Sequence, residues 1–202
     1  MQIGILNLIN SNAPAVLSVI ENLGFSPILT NAPKEIPSLS HLIIPGVGSF
    51  AAVADEVGEI PNLTESILTF AASGQPILGI CLGMQFLGIG SEESQGKKGL
   101  GLLDYEAVSM SQSQHRLPIP HVGWNQVEIS RESPLFLGIP SGTDFYFSHS
   151  FKIASSIYES GLTNYGSNFI STVRKDNIYG VQFHPERSQA FGHKLLENFL
   201  RV

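Results

Sequence analysis

Cys81 is the only cysteine of the 202-residue chain, and it stands between two glycines in Gly79-Ile80-Cys81-Leu82-Gly83-Met84-Gln85. The form Gly-x-nucleophile-x-Gly describes a sharp strand-to-helix turn that holds a reactive side chain in a strained, exposed position. Paired glycines let strand and helix backbones approach without Cβ clashes. A thiol at the start of the following helix feels the positive end of the helix dipole, which favours thiolate. A lone cysteine is more often a buried core group than a nucleophile, so its companions decide.

Gly180-Val181-Gln182-Phe183-His184-Pro185-Glu186 supplies two of them. In an extended segment His184 and Glu186 share a face, and Pro185 stiffens the pair. A carboxylate that accepts the proton of one ring nitrogen fixes the tautomer and aims the other nitrogen at a nucleophile. Cysteine, histidine and an orienting carboxylate form a nucleophilic-catalysis set. The loop Pro45-Gly46-Val47-Gly48 adds consecutive backbone N–H groups able to bind an anion. Together with the Leu82 amide they could stabilise the oxyanion of an acyl-transfer intermediate. The same loop fits a dinucleotide pattern, Gly46-x-Gly48-x-x-Ala51. That pattern needs an acidic residue at the end of the next strand, and Pro61 to Glu65 lies at a helix start instead. The remaining histidines, His41, His115, His121, His149 and His193, match no zinc spacing, and no second cysteine exists. No metal and no cofactor are expected.

These groups need rigid elements behind them. Short apolar runs at Ile3 to Leu8, Pro27 to Leu29, His41 to Ile44 and Ile77 to Ile80 predict buried strands. A helix follows Asn12, which is placed to cap it, with Pro14 in the first turn and Gly24 beyond the end. A weak helix is predicted through Ala51 to Ala54, and another from Leu63 to Ser73 with Gly74 as its stop. Strands alternating with helices indicate an α/β fold around a mostly parallel central sheet with helices on both faces. Strand-like runs at Leu103 to Met110, Val127 to Ile129, Phe145 to Phe147, Phe169 to Val173 and Ile178 to Phe183 then predict added antiparallel edge strands. Gln189 to Leu200 closes the chain with a helical stripe. Residues 1–202 read as a single domain.

The composition narrows the partners. A net charge of −6 without a basic run argues against nucleic acid. Only 14% of residues are charged, so part of the surface is expected to be covered by a partner. A single thiol suits a reducing cytoplasm. The apolar run Ile77 to Ile89 is broken and short, and the N-terminus lacks a basic n-region, so neither a membrane span nor a signal peptide is expected.

The motifs at 45–48, 79–85 and 182–186 together resemble the class I (triad) glutamine amidotransferases, in order and spacing across nearly the whole chain. Within that class, Gly99-Leu-Gly-Leu102, Pro120-His-Val-Gly-Trp-Asn125, Tyr146-Phe-Ser-His-Ser-Phe151 and Arg187-Ser188-Gln189 resemble the glutaminase subunit of imidazole glycerol phosphate synthase. The resemblance implies a flavodoxin-like fold and a catalytic triad of Cys81, His184 and Glu186 acting through a thioester. It implies that Gly46, Val47, Gly48 and Leu82 serve the oxyanion, while Gln85 and the Ser148–His149 backbone hold L-glutamine. It also implies that ammonia passes through a channel to a (β/α)₈ barrel synthase in a heterodimer that serves histidine biosynthesis, with Asn10, Asn12, His121, Trp124 and Asn125 near the interface. The first loop, Asn7-Leu8-Ile9-Asn10-Ser11-Asn12, departs from the family's Asp-Tyr-Gly-x-Gly-Asn pattern. A paralogue feeding another acceptor, such as a nucleotide-linked sugar, shares the same triad. A non-catalytic scaffold of flavodoxin type is the alternative from a different class.

Overall fold

The computed structural model describes residues 1–9, 11–110 and 117–202, so the Asn10 expectation lies outside the described residues. Five parallel strands form the centre: β1 (Ile3–Leu6), β2 (Pro27–Thr30), β3 (His41–Gly46), β4 (Ile77–Cys81) and β12 (Ile178–Val181), in the spatial order β2-β1-β3-β4-β12. Strands β1, β3, β4 and β12 are buried along their whole length, which accounts for their continuous apolar runs. Helices α1 (Ala13–Asn22), α2 (Phe50–Glu59), α3 (Leu63–Ala72), α4 (Leu82–Leu87) and α5 (Gln189–Phe199) surround them. Two apolar clusters follow. One lies under α2, α3 and α4 around Phe50, Ile67 and Leu87, and the other under α1 and α5 around Val16, Ile20, Leu196 and Phe199.

The second half extends the sheet in antiparallel fashion. Beyond β12 come β11 (Ser167–Lys175), β10 (Glu159–Tyr165), β7 (His121–Ile129) and β8 (Thr143–His149), with β5 (Gly90–Ser91), β6 (Glu106–Ser109) and β9 (Phe151–Ile153) on a side branch. This is the mixed architecture the sequence predicts, with informative differences in extent. The run from Leu103 shortens to β6 because the Leu102 and Leu103 amides both donate to Leu87 O. Strand β10 escapes a reading of hydropathy, since Glu159–Tyr165 carries mostly small and polar residues and a bulge at Gly161. Helix α2 runs on to Glu59, capped by Ser49, whose side chain accepts from the Ala52 N–H. Asn12 does not cap α1 with its side chain. No helix among the described residues is long and apolar enough to cross a membrane.

Candidate active site

Strands β3 and β4 are parallel neighbours, paired from Leu42 with Ile77 to Gly46 with Cys81, so the glycine loop and the cysteine emerge at the same sheet edge. Chain reversal at Cys81 is abrupt. Its φ of 54° and ψ of −110° lie in a region that L side chains rarely occupy, a strain of about 1–3 kcal/mol. The flanking glycines make this turn possible. A Cβ on Gly83 would collide with the Ile44 carbonyl, and one on Gly79 would lie 2.7 Å from Gly83 O. A Cβ on Gly46 would lie 2.9 Å from Gly83 N. Strand β3, strand β4 and helix α4 therefore pack backbone against backbone.

On the other side of β4, β12 pairs Val181 with Ile80, and the chain then leaves the sheet through His184 into a short 3₁₀ turn, Pro185–Arg187. That turn is tied to β8 at several points. The His184 N–H donates to Tyr146 O at 2.8 Å, the Tyr146 N–H donates to Ser188 Oγ at 3.0 Å, and Ser188 Oγ donates to His184 O at 2.6 Å. His184 Nδ1 and Glu186 Oε1 are 2.8 Å apart, both side chains being buried. Burial by itself lowers the His184 pKa. The nearby charge of a Cys81 thiolate, followed by the hydrogen bond and charge of Glu186, outweighs that and holds the ring above its ordinary value. The imidazole is thus flanked by Cys81 on one side and Glu186 on the other.

Cys81, His184, Val47, Gly48, Leu82, Gln85, Ser148 and His149 line one cleft of about 350 Å³, a volume suited to one small metabolite. The Val47 and Gly48 amides find no acceptor among the described residues, which leaves them free to bind an anion. Gly46 belongs to β3 and keeps the loop close to α4 rather than lining the cleft. Ser148 O lies 3.9 Å from Cys81 Sγ. Gln85 is engaged differently from a simple clamp: its Nε2 donates to Phe151 O at 3.1 Å and to Gln182 Oε1 at 3.0 Å. With those N–H groups occupied, only its Oε1 is left to meet a ligand.

His121, expected near an interface, is buried within the chain. Along β7, His121, Gly123 and Asn125 turn to one face while Val122 and Trp124 turn outward, so an alternating strand cannot present His121 and Trp124 together. His121 Nδ1 instead meets His149 Nε2 at 2.9 Å, its ring stacked on Phe147 and Tyr165. His149 Nδ1 donates to Phe151 O at 2.8 Å, so its Nε2 must accept from His121 Nδ1–H. Burial pushes both rings down, His121 to about 4 and His149 to about 3. Asn125 Nδ2 approaches His121 Nε2 at 3.3 Å and donates to Asn164 O. Trp124 remains half exposed, edge-on to Tyr146, whose ring carries the Arg187 guanidinium at 4.4 Å. Asn12 lines the cleft and donates from Nδ2 to Glu186 Oε1 at 2.7 Å.

Three further residues were not marked by type or spacing alone. Glu93 lines the cleft and accepts the Phe50 N–H at 2.8 Å at the start of α2. Arg187 also lines it. Gln182, fully buried, directs Nε2 at Cys81 Sγ over 3.6 Å. Two of them carry a signal in their position, since Arg187 and Gln182 sit within the motif around the His-Pro-Glu run. Glu93 has no such neighbour.

Comparison with known proteins places these features in context. The family profile described as Glutamine amidotransferase class-I matches residues 5–202. The imidazole glycerol phosphate synthase subunit HisH of Escherichia coli (strain K12) is 43% identical over 202 residues, covering 100% of both chains. The protein of the same name from Yersinia pestis is 40% identical over the same span, again covering 100% of both. Among solved structures, a glutamine amidotransferase aligns with a TM-score of 0.77 at 16% identity, covering 98% of this chain and 97% of that one. PurLQS from Thermotoga maritima aligns at 0.76 and 19% identity, covering 99% and 97%.

Proposed function

This chain belongs to the class-I glutamine amidotransferases, and we propose that it is the glutaminase subunit of an imidazole glycerol phosphate synthase. The observation that carries the reading is the strained Cys81 beside the His184–Glu186 pair in a cleft edged by free amides. Full-length identity to subunits named HisH supports the choice of pathway.

The Cys81 thiolate attacks the side-chain amide carbon of glutamine. Negative charge moves onto the amide oxygen, where the Gly48 and Leu82 amides receive it. His184, protonated and held so by Cys81 and Glu186, gives its proton to the leaving nitrogen as the C–N bond breaks, which releases ammonia and leaves a γ-glutamyl thioester. Neutral His184 then takes a proton from water, the hydroxide attacks the thioester carbon, and glutamate leaves as the thiolate is restored. Glu93 pairs with the α-ammonium of the substrate, and Gln85 Oε1 accepts from the same group. The Ser148–His149 backbone lies along the substrate's other side.

Ammonia then passes to a synthase subunit of (β/α)₈ barrel type in a heterodimer, docked over the face that carries Trp124 and Asn125 with Asn12 at its inner margin. The reduced cysteine nucleophile suits the cytoplasm. The test uses the heterodimer. Cys81→Ala is expected to abolish glutamine-dependent synthesis and glutamate release while synthesis from ammonium salts continues. Glutamate release by Cys81→Ala at the wild-type rate would refute the assignment.

A further inference from the structure

We propose that Gln182 is a catalytic residue of this site, donating an amide N–H to the Cys81 thiolate, and that its orientation is dictated from the Phe151 carbonyl through Gln85. Gln182 is fully buried and does not line the cleft, so it has no substrate to bind. Its backbone is pinned on β12's continuation, where its N–H donates to Ser171 O at 2.8 Å. Its side chain touches two groups of consequence, Gln85 Nε2 at 3.0 Å and Cys81 Sγ at 3.6 Å.

An amide can present either end, and here the neighbours decide. The Phe151 carbonyl can only accept, so Gln85 must face it with N–H. The second N–H of Gln85 then points at Gln182, which must answer with its carbonyl oxygen. The end left for Cys81 is N–H. Reversing Gln182 would set two N–H groups against each other and a carbonyl oxygen against a thiolate. The same Phe151 oxygen also receives His149 Nδ1–H, which holds the acceptor in place. A donor aimed at sulfur favours the charged form of the nucleophile and the species expelled when the thioester is hydrolysed.

The proposal rests on the reading of Cys81 as nucleophile, and its test does not depend on glutamine being the substrate. The rate of Cys81 alkylation by iodoacetamide, a small neutral reagent, is measured against pH in wild type, Gln182→Met and Gln182→Glu. Gln182→Met removes the donor at similar volume, and its rate is expected to fall about tenfold at pH 6, the lower range for a hydrogen bond to a charged group. That deficit should close as the pH rises toward 10, where thiolate forms without help. Gln182→Glu should be slower still at neutral pH, because its carboxylate repels the thiolate. Thermal melts taken on all three report folding separately. A deficit of constant size at every pH would mean altered access, and an unchanged rate in Gln182→Met would mean no donation. Either result overturns the proposal. Glutaminase kinetics give an independent readout: Gln182→Met should lower kcat with little change in KM, and a raised KM with unchanged kcat would oppose the assignment.

Discussion

Asn12 and Glu186 lie 174 positions apart in sequence, and Asn12 Nδ2 donates to Glu186 Oε1 at 2.7 Å. The same carboxylate oxygen receives His184 Nδ1, so the first loop of the chain reaches the far end of the proposed triad. Asn12→Ala should lower kcat of the complex severalfold. Asn12→Asp should do worse, because two carboxylates within hydrogen-bond distance cannot both stay charged without cost. Steady-state glutamate release measures both. Wild-type turnover in Asn12→Asp would show that the contact does not orient Glu186.

The charge balance around His184 gives a second expectation. Burial lowers its pKa, and the Cys81 thiolate is the foremost of the groups that reverse the effect. In Cys81→Ala that opposing charge is gone while the burial remains. The ring of His184 should therefore titrate at lower pH in the variant than in the wild type, as followed by NMR of isotope-labelled histidine. An unmoved titration would mean that the thiolate is not what holds the proton.

Acid stability follows from the other buried imidazoles. His149 is lowered to about 3 by burial, with the nearby charges of His121, His184 and Lys152 adding to it against the Phe151 hydrogen bond. His121 is lowered to about 4 by burial. Both folded values lie below 6.5, so the unfolded chain takes up more protons as the pH falls beneath that value. The native state then loses up to about 1.4 kcal/mol per pH unit for each ring, until the folded pKa is reached. Urea unfolding between pH 7 and 4.5 measures the slope. His121→Asn keeps a donor near Nδ1 and removes one titrating group, and should flatten the slope by about one proton.

Glycines of the same chain should respond oppositely to one added methyl. Gly83→Ala drives a Cβ into the Ile44 carbonyl and should cost about 3 kcal/mol or more. Gly58 lies inside α2 with nothing within 4 Å of its would-be Cβ. Gly58→Ala should stabilise by about 0.5–1 kcal/mol through helix propensity. Thermal melts of the two variants decide, and a neutral Gly83→Ala would contradict the close packing at the Cys81 turn.

What the sequence makes legible here is local. Strands β3 and β4 announce themselves as apolar runs because both their faces are buried, and the Cys81 turn because only glycine tolerates its backbone contacts. His184 and Glu186 share a face across two residues. Asn12 carries the signature of a helix cap, yet its side chain is drawn to a carboxylate that only the tertiary fold brings near. Gln182 reads as one more polar residue after a strand until Gln85 and Cys81 are set on either side of it. His121 and Trp124 look like neighbours in sequence, but the strand period sends them to opposite faces.

Strand β12 enters the sheet between β4 and β11, and it is the strand that carries His184 and Glu186 to Cys81. During synthesis on the ribosome, β1, β3 and β4 can pair well before β12 exists. A chain made only as far as β4 carries Cys81 but neither His184 nor Glu186, so the set proposed for glutamine chemistry is whole only when the last strand of the parallel sheet has been made.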